Sequence, residues 1–422
     1  MKNFIFIFSC CLFLQFQFTS IHGQEQETAN SINTERELQQ IQIDVAFLSS
    51  DLLEGRETGK EGEDMAAKYL VMRFEELGLQ PKGTDGSWYH TFDFNFNSNP
   101  HLKEGEPRTG KNVVAALDNE AEEWIVVGAH FDHLGYGHFG SRYTGEEKKI
   151  HNGADDNASG VAAMLYLAEH LKASKATNFN YLFIGFSGEE MGLFGSKNYT
   201  MTPTIDLSKV NYMLNMDMIG RLNEEKVLAI SGAGTTPIWK EELAKIEVND
   251  IQIKTSDSGV GPSDHTSFYL KDIPVLHFFT GQHTDYHKPE DDSHLVNYEG
   301  IYDISQFMLQ LIENVDDKGK LEFTKTKDES EGRKVSKFKV TLGVMPDYVS
   351  TEEGGMRVDS VIEGRPASEA GMKDGDVIIQ MGDMEVKDIY DYMEGLAQFK
   401  AGDKTTIKVK RGKEEVKLKV QF

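Results

Sequence analysis

Apolar residues in the first part of the chain follow two patterns, one with the spacing of a helix and one in short runs. Apolar residues recur at helical spacing from Asp64 to Leu77 and again over Gly160–Lys172. Six shorter apolar runs are typical of strands: Asn112–Leu117, Trp124–Ala129, Tyr181–Phe186, Tyr212–Asn215, Val227–Ile230 and Val275–Phe279. Strands that alternate with helices predict an α/β fold with a mixed, mostly parallel central sheet flanked by helices.

A charged stretch with few large apolar residues, Asp316–Lys337, interrupts this pattern. Short strand-like runs with glycine turns follow it: Phe338–Val344, Met356–Val361, Asp376–Met381 and Thr406–Val409. We therefore predict an α/β domain over residues 24–315, a charged linker over residues 316–335 and a small β-rich domain over residues 336–422.

The N-terminal segment has the pattern of an export signal over residues 1–23. Lys2 precedes an apolar run from Phe4 to Phe18, which is shorter than a membrane-spanning helix requires. This predicts a periplasmic or extracellular protein; a membrane anchor, or a lipid on Cys10 or Cys11, is the alternative. The sequence has only these two cysteines, so the exported part offers no thiol for a disulfide, a metal or catalysis.

The net charge of the 422-residue chain is −25. So negative a surface repels phosphate groups, which argues against nucleic acid and anionic membranes as partners. We expect no stable membrane span once the signal is removed.

Acidic and imidazole side chains stand at the ends of the predicted strands. His130 and Asp132 lie two positions apart, so they share one face of a strand, where a carboxylate can orient a metal-binding imidazole. A surface hydrogen bond between them is the alternative. Asp155 and Asp156 precede the helix that begins at Gly160, where they can bind a cation or simply stabilise the helix start.

Three further segments add acids or an imidazole. Glu189 and Glu190 follow a strand and point in different directions, so one can bind a metal while the other handles a proton. An acidic helix start is the alternative for this pair. Asp217 is set within an apolar strand, where an unpaired carboxylate is costly, and His287 lies in the loop after the last strand.

Ligands bind at the carboxyl ends of the strands in open α/β sheets. Nitrogen and oxygen ligands without a thiolate suit a hydrolytic pair of zinc ions, and other divalent metals also fit such a site. Together these segments therefore predict metal-assisted hydrolysis at one edge of the sheet.

The order of these segments and the residues in them resemble those of the secreted bacterial double-zinc aminopeptidases. More distant relatives are glutamate carboxypeptidase II and the glutaminyl cyclases. The resemblance covers roughly Ile41 to Ile312 and includes Leu52–Gly59. It implies a zinc exopeptidase-like fold, two zinc ions, and release of N-terminal residues from peptides.

The resemblance also implies a role for each metal ligand. His130 and Asp217 would hold one metal, Glu190 and His287 the other, and Asp156 would bridge the two.

It further implies that Asp132 orients His130, that Glu189 is the general base and that Tyr286 donates a hydrogen bond to the oxyanion. The segment Ser263–His265 would lie near the substrate pocket.

The C-terminal domain resembles the PDZ domains of bacterial envelope proteases in the segment Gly364–Gly382. The resemblance implies that Leu342, Gly343 and Val344 form the loop that receives a peptide carboxylate. PDZ domains bind extended peptides, including protein C-termini, by adding a strand to their sheet. A packing or tethering domain without a ligand is the alternative.

We therefore expect an exported, metal-dependent aminopeptidase that hydrolyses peptides through a water activated by two zinc ions. A carboxypeptidase or a glutaminyl cyclase-like enzyme on the same scaffold is one alternative, and a non-catalytic peptide-binding protein is another. The intact set of acids and histidines favours an enzyme.

Overall fold

The computed structural model describes residues 33–96, 105–326, 340–346, 354–361, 364–387 and 389–422. The predicted export signal and residues 327–335 of the predicted linker lie outside the described residues. No helix in the described ranges is long and apolar enough to cross a membrane.

The helices are α1 (33–48), α2 (Glu61–Glu76), α3 (Gly160–Ala173), α4 (Phe194–Met201), α5 (Trp239–Leu243), α6 (His265–Tyr269), α7 (Tyr298–Val315), α8 (Pro366–Glu369) and α9 (Ile389–Ala397). The strands of the first domain are β1 (Gln80–Pro81), β2 (Tyr89–Phe96), β3 (Glu106–Leu117), β4 (Trp124–His130), β5 (Asn180–Phe186), β6 (Val210–Met216), β7 (Val227–Ser231), β8 (Gln252–Thr255) and β9 (Val275–Phe279). The strands of the second domain are β10 (Val344–Pro346), β11 (Met356–Val361), β12 (Val377–Met381), β13 (Met384–Glu385), β14 (Lys404–Arg411) and β15 (Glu414–Gln421).

A nine-stranded sheet forms the centre of the first domain, in the order β1-β3-β5-β4-β6-β9-β7-β8, with β2 also paired to β3. The four middle strands β5, β4, β6 and β9 are parallel, whereas β3 and β7 join them antiparallel. All six predicted strand segments lie in this sheet. The structure thus confirms the mixed α/β fold.

Helices cover both faces of the sheet. One face packs against α2, α3 and α7 in the larger hydrophobic core, and the other packs against α4 and α6. The central strand β4 is almost continuously apolar and buried, as a strand covered on both faces should be. In α7, the side chain of Asn297 accepts a hydrogen bond from the N–H of Gly300 and so defines where the helix begins.

The segment 319–326 differs from the linker that the sequence predicts, because it packs on the first domain. We call this segment the strap. Leu321 is buried in the larger core, and its N–H donates to the side chain of Asn211 over 2.7 Å. Further along, Phe323 packs on Tyr269, whose hydroxyl accepts a 3.0 Å hydrogen bond from the N–H of Thr326. Charged residues in the stretch obscure these few apolar anchors in the sequence.

The second domain is an antiparallel sheet in the order β10-β11-β12-β14-β15, with β13 paired to β12. Its apolar side chains form a separate core. Arg411 binds both oxygens of the buried Asp376 carboxylate over 2.7 and 2.8 Å, which joins the start of β12 to the end of β14. Of the predicted strand 338–344, the described part begins at residue 340, and the strand itself begins at Val344.

Candidate metal and catalytic site

The predicted site residues of the first domain converge at the carboxyl ends of the four parallel strands. His130 is the last residue of β4, Glu189 and Glu190 follow β5, and Asp217 follows β6. His287 lies in the loop after β9. These strands end at the same edge of the sheet because they run in parallel, which brings distant parts of the sequence together.

The first cluster of possible metal ligands contains His130, Asp156 and Asp217. Nε2 of His130 lies 3.2 Å from Oδ1 of Asp156 and 3.3 Å from Oδ1 of Asp217. His130 and Asp156 are buried, whereas Asp217 is half-buried.

The second cluster uses the other oxygen of Asp156. Nε2 of His287 lies 3.2 Å from Oδ2 of Asp156 and 3.1 Å from Oε2 of Glu190. The Nδ1 atom of His287 is 2.9 Å from the carbonyl oxygen of Gly140, which fixes the ring with Nε2 towards the carboxylates. The two oxygens of one carboxylate therefore face two separate groups of ligands.

An irregular turn, Ala154–Ser159, holds Asp156 between the two clusters. Asp156 and Asn157 have non-helical backbone angles there. The buried carboxylate of Asp291 accepts hydrogen bonds from the main-chain N–H groups of Asp155 and Asp156, over 3.0 and 3.1 Å. The sequence analysis missed Asp291, because its contacts are to main-chain atoms that no motif shows.

Asp132 lies behind His130. Oδ1 of Asp132 is 3.7 Å from Nδ1 of His130, and its main-chain oxygen is 3.3 Å from the same atom. Oδ2 accepts a hydrogen bond from the hydroxyl of Thr58, and Oδ1 accepts one from the N–H of Glu189. The carboxylate is thus fixed by its neighbours and is fully buried.

The two adjacent glutamates differ in protonation behaviour. Burial raises the pKa of Glu189 well above its ordinary value, and the neighbouring acids Asp217 and Asp264 act in the same direction. Burial and Asp156 also oppose ionisation of Glu190, but His287 and His133 outweigh them and lower its pKa to about 2. Glu189 therefore accepts a proton readily, whereas Glu190 stays an anion.

Tyr286 stands beside the second cluster. Its ring stacks on the ring of His287, with 3.8 Å between the centroids, and the guanidinium of Arg142 lies 5.0 Å from its centroid. Burial and the carboxylates of the site raise the pKa of its hydroxyl well above 10, so the group stays protonated and able to donate.

Arg56, in the segment Leu52–Gly59, supports the loops of the site through hydrogen bonds. Arg56 is fully buried and donates to the main-chain oxygens of Leu48, Phe131, Asn152 and Gly153. Burial lowers the pKa of Arg56 to about 10, although Asp132 and other acids of the site favour its charged form. This explains the position of the predicted segment Leu52–Gly59, because its arginine ties together the loops that carry the ligands.

The segment Ser263–His265 begins α6 close to the first cluster. Ser263 accepts a 2.9 Å hydrogen bond from the side chain of Asn215 on β6. Burial raises the pKa of Asp264 to about 7, and the nearby His130 opposes that rise.

His133 is the imidazole that the sequence analysis left out of the site. Its Nδ1 lies 2.7 Å from Oε1 of Glu190 and 4.0 Å from Oδ2 of Asp156. His133, Asp156 and Glu190 together form a second possible ligand group. Its place three residues after His130 was visible in the sequence, but only the folded chain brings it to Glu190.

In the second domain, Leu342, Gly343 and Val344 lead into β10. Leu342 and Val344 are buried, and the main-chain oxygen of Leu342 accepts a 2.9 Å hydrogen bond from the N–H of Ala367. Gly343 has a φ of +78°, and a Cβ there would lie 2.2 Å from Cβ of Arg365. This position thus requires glycine.

The arrangement of the two clusters fits divalent metal ions. The buried Nε2 of His287 has no hydrogen-bond partner among the described residues, yet carboxylate oxygens lie 3.1 and 3.2 Å away. A buried imidazole nitrogen beside two carboxylates is the environment of a metal ligand, and imidazole with carboxylate suits zinc.

Comparison with known proteins agrees with this geometry. Residues 112–312 match the model of Peptidase family M28, and residues 340–422 match that of the PDZ domain. Over 160 residues the chain is 31% identical to aminopeptidase YwaD of Bacillus subtilis (strain 168). This alignment covers 35% of this chain and 34% of the relative. The chain spans 34–51% of the length of the curated relatives that it matches first.

Two solved structures share the fold. BSAP, a zinc aminopeptidase from Bacillus subtilis, matches with a TM-score of 0.51 and 16% identity, over 68% of this chain and 95% of that one. Bacteroides thetaiotaomicron glutaminyl cyclase bound to N-acetylhistamine matches with a TM-score of 0.53 and 17% identity, over 66% of this chain and 97% of that one. These matches show that residues 112–312 are similar to peptidase family M28 and that residues 340–422 are similar to the PDZ domain.

Proposed function

We propose that the first domain is an aminopeptidase that uses two zinc ions. The observation that carries the proposal is Asp156, whose two oxygens face separate imidazoles over 3.2 Å each. His130 and Asp217 would complete one metal site, and Glu190 and His287 the other. Zinc supplies a water of lowered pKa and polarises the scissile carbonyl.

The side chains of this protein would handle the proton and the oxyanion. The Glu189 carboxylate takes the proton of the attacking water and returns it to the nitrogen of the leaving amine. Its raised pKa makes it the stronger base of the two adjacent glutamates. The hydroxyl of Tyr286 donates a hydrogen bond to the developing oxyanion. Asp132 holds His130 in the orientation that directs Nε2 towards the carboxylates.

The similarity to aminopeptidase YwaD favours release of N-terminal residues. A glutaminyl cyclase-like reaction is the second candidate, because a glutaminyl cyclase shares the fold. A peptide with an N-terminal glutamine separates these reactions. The aminopeptidase releases glutamine, the cyclase releases ammonia without cleaving the chain, and a carboxypeptidase shortens the other end.

The test uses the zinc-loaded full chain and mass spectrometry of the products. The same peptide with an acetylated N-terminus is the control, because an aminopeptidase needs the free amine. Release of N-terminal residues from the free peptide alone is the expected result. Equal cleavage of the acetylated peptide, or loss of ammonia only, contradicts the proposal.

We further propose that the PDZ domain binds extended peptides at the loop Leu342–Val344 and that the chain is exported. Gly343 supports the first proposal, since its left-handed backbone conformation at φ +78° suits a tight loop that presents main-chain N–H groups. Cell fractionation and N-terminal sequencing of the mature protein test the second.

A further inference from the structure

His133 is placed to act on the second metal site without being one of its ligands. The side chain is fully buried, and its main-chain N–H donates to the oxygen of Arg56 over 3.1 Å. Its Nδ1 is 2.7 Å from Oε1 of Glu190, which is hydrogen-bonding distance.

Glu190 therefore lies between two imidazoles, one for each oxygen. Oε1 contacts Nδ1 of His133, and Oε2 contacts Nε2 of His287 over 3.1 Å. Nε2 of His287 also lies 3.2 Å from Oδ2 of Asp156, whereas Nδ1 of His133 lies 4.0 Å from that oxygen. With Oε1 occupied by His133, the oxygen left for a metal is Oε2.

The geometry separates the roles of the two imidazoles. Nε2 of His287 approaches both carboxylates closely, and its other nitrogen contacts the oxygen of Gly140. This is the usual pattern for an imidazole that binds a metal. Nδ1 of His133 lies 2.7 Å from Glu190 but 4.0 Å from Asp156, so its close contact is with Glu190. Its position is that of a donor to a ligand.

The backbone beside His133 keeps the ring in place. Gly153 has a φ of +57°, and a Cβ at this position would lie 2.5 Å from Cδ2 of His133. The ring of His133 thus occupies the space that a side chain at position 153 would need. Because the ring cannot move towards Gly153, the direction of its Nδ1 towards Glu190 is fixed.

We propose that His133 is a positioning residue that holds Glu190 as a single-oxygen ligand of the second metal. This rests on the proposed two-metal site. Hydrogen-bond partners of metal ligands typically contribute about 10- to 100-fold to metal affinity. Loss of the Nδ1 contact frees Glu190 to rotate, so it weakens the second metal and leaves the first in place.

The test is a cobalt titration of the metal-free full chain, followed by the visible absorption of each bound ion. His133→Ala should weaken the second binding step by about 10- to 100-fold and leave the first unchanged. His133→Asn should recover most of that loss, because its side-chain nitrogen is as far from the backbone as Nδ1. His133→Gln should recover little, since its nitrogen is one bond further out.

His170→Ala is the matched control. His170 lies away from the site, and its Nε2 is 3.1 Å from the carboxylate of Glu37. This variant should leave both binding steps unchanged. If His133→Ala does not fold, the Asn and Gln variants decide the question alone. Equal second-step affinities of those two variants would overturn the role of His133, as would a His133→Ala variant with two wild-type steps. A wild-type chain that binds one ion only would instead contradict the two-metal proposal itself.

Discussion

The main-chain N–H of Glu189 donates a 3.1 Å hydrogen bond to Oδ1 of Asp132. The same carboxylate lies behind His130, 3.7 Å from its Nδ1. One buried acid therefore positions both the proposed base and a proposed metal ligand.

Asp132→Asn keeps the shape of this side chain and removes its charge. We expect metal affinity to fall by about 10- to 100-fold and kcat to fall with it, because the imidazole loses its anionic partner. Bound metal and initial rates measured on the same samples give both effects. Asp64→Asn, at a half-exposed acid paired with Lys111, is the control and should change neither. Normal metal affinity in Asp132→Asn would contradict the orienting role.

Glu189→Gln should retain both metals and lose about 10²- to 10⁴-fold in kcat, because the amide cannot accept the proton of the water. Metal analysis together with steady-state rates on an aminoacyl amide checks this. Glu190→Gln is the informative comparison, since it should lower the metal content instead. If Glu189→Gln turns over at nearly the normal rate, the base lies elsewhere.

Removal of the strap should lower the thermal stability of the first domain. A chain that ends at residue 326 keeps the buried Leu321 and the contacts of Thr326 with Tyr269. A chain that ends at residue 315 loses them. Leu321 alone contributes about 1.5–3 kcal/mol by its burial. Thermal unfolding should therefore show a lower Tm for the shorter chain, and equal values would restore the linker interpretation.

Arg56→Met should destabilise the first domain strongly. The substitution leaves the buried main-chain oxygens of Phe131, Asn152 and Gly153 without their donor. Each unsatisfied group costs about 1–3 kcal/mol. Urea unfolding measures the loss, and Arg36→Met at an exposed helix position is the control. A loss below about 1 kcal/mol would show that water replaces the guanidinium.

Removal of the PDZ domain should affect long peptides only. A second contact on the same chain raises the effective concentration of a long substrate, to the order of millimolar for short flexible linkers. A chain that ends at residue 326 should therefore show a higher KM for long peptides and an unchanged KM for aminoacyl amides. Equal KM values for long peptides with and without the domain would leave it a structural role.

Periodicity was enough to predict the central sheet, because buried parallel strands such as β4 are apolar throughout. The acids and histidines of the proposed metal site were also visible in the sequence, since buried acids are rare without a partner. Their grouping into two clusters around Asp156 depends on strand order, which no single segment reveals.

Two residues and one segment escaped prediction for different physical reasons. Asp291 acts through main-chain N–H groups, and His133 acts through Glu190, 57 positions further along the chain. The strap was interpreted as a linker because charges outnumber its apolar anchors. Leu321 shows that one buried side chain can attach a mostly polar segment.

The strap also determines where a mechanical load would act. Thr326 is the last residue of the strap, so among the described residues of the strap a pull from the second domain would reach it first. The hydrogen bonds between Thr326 and Tyr269 would then bear the force, at the end of the short helix that begins beside Asp264. Such a pull would thus reach α6, the helix next to Asp264, before it reached the buried Leu321.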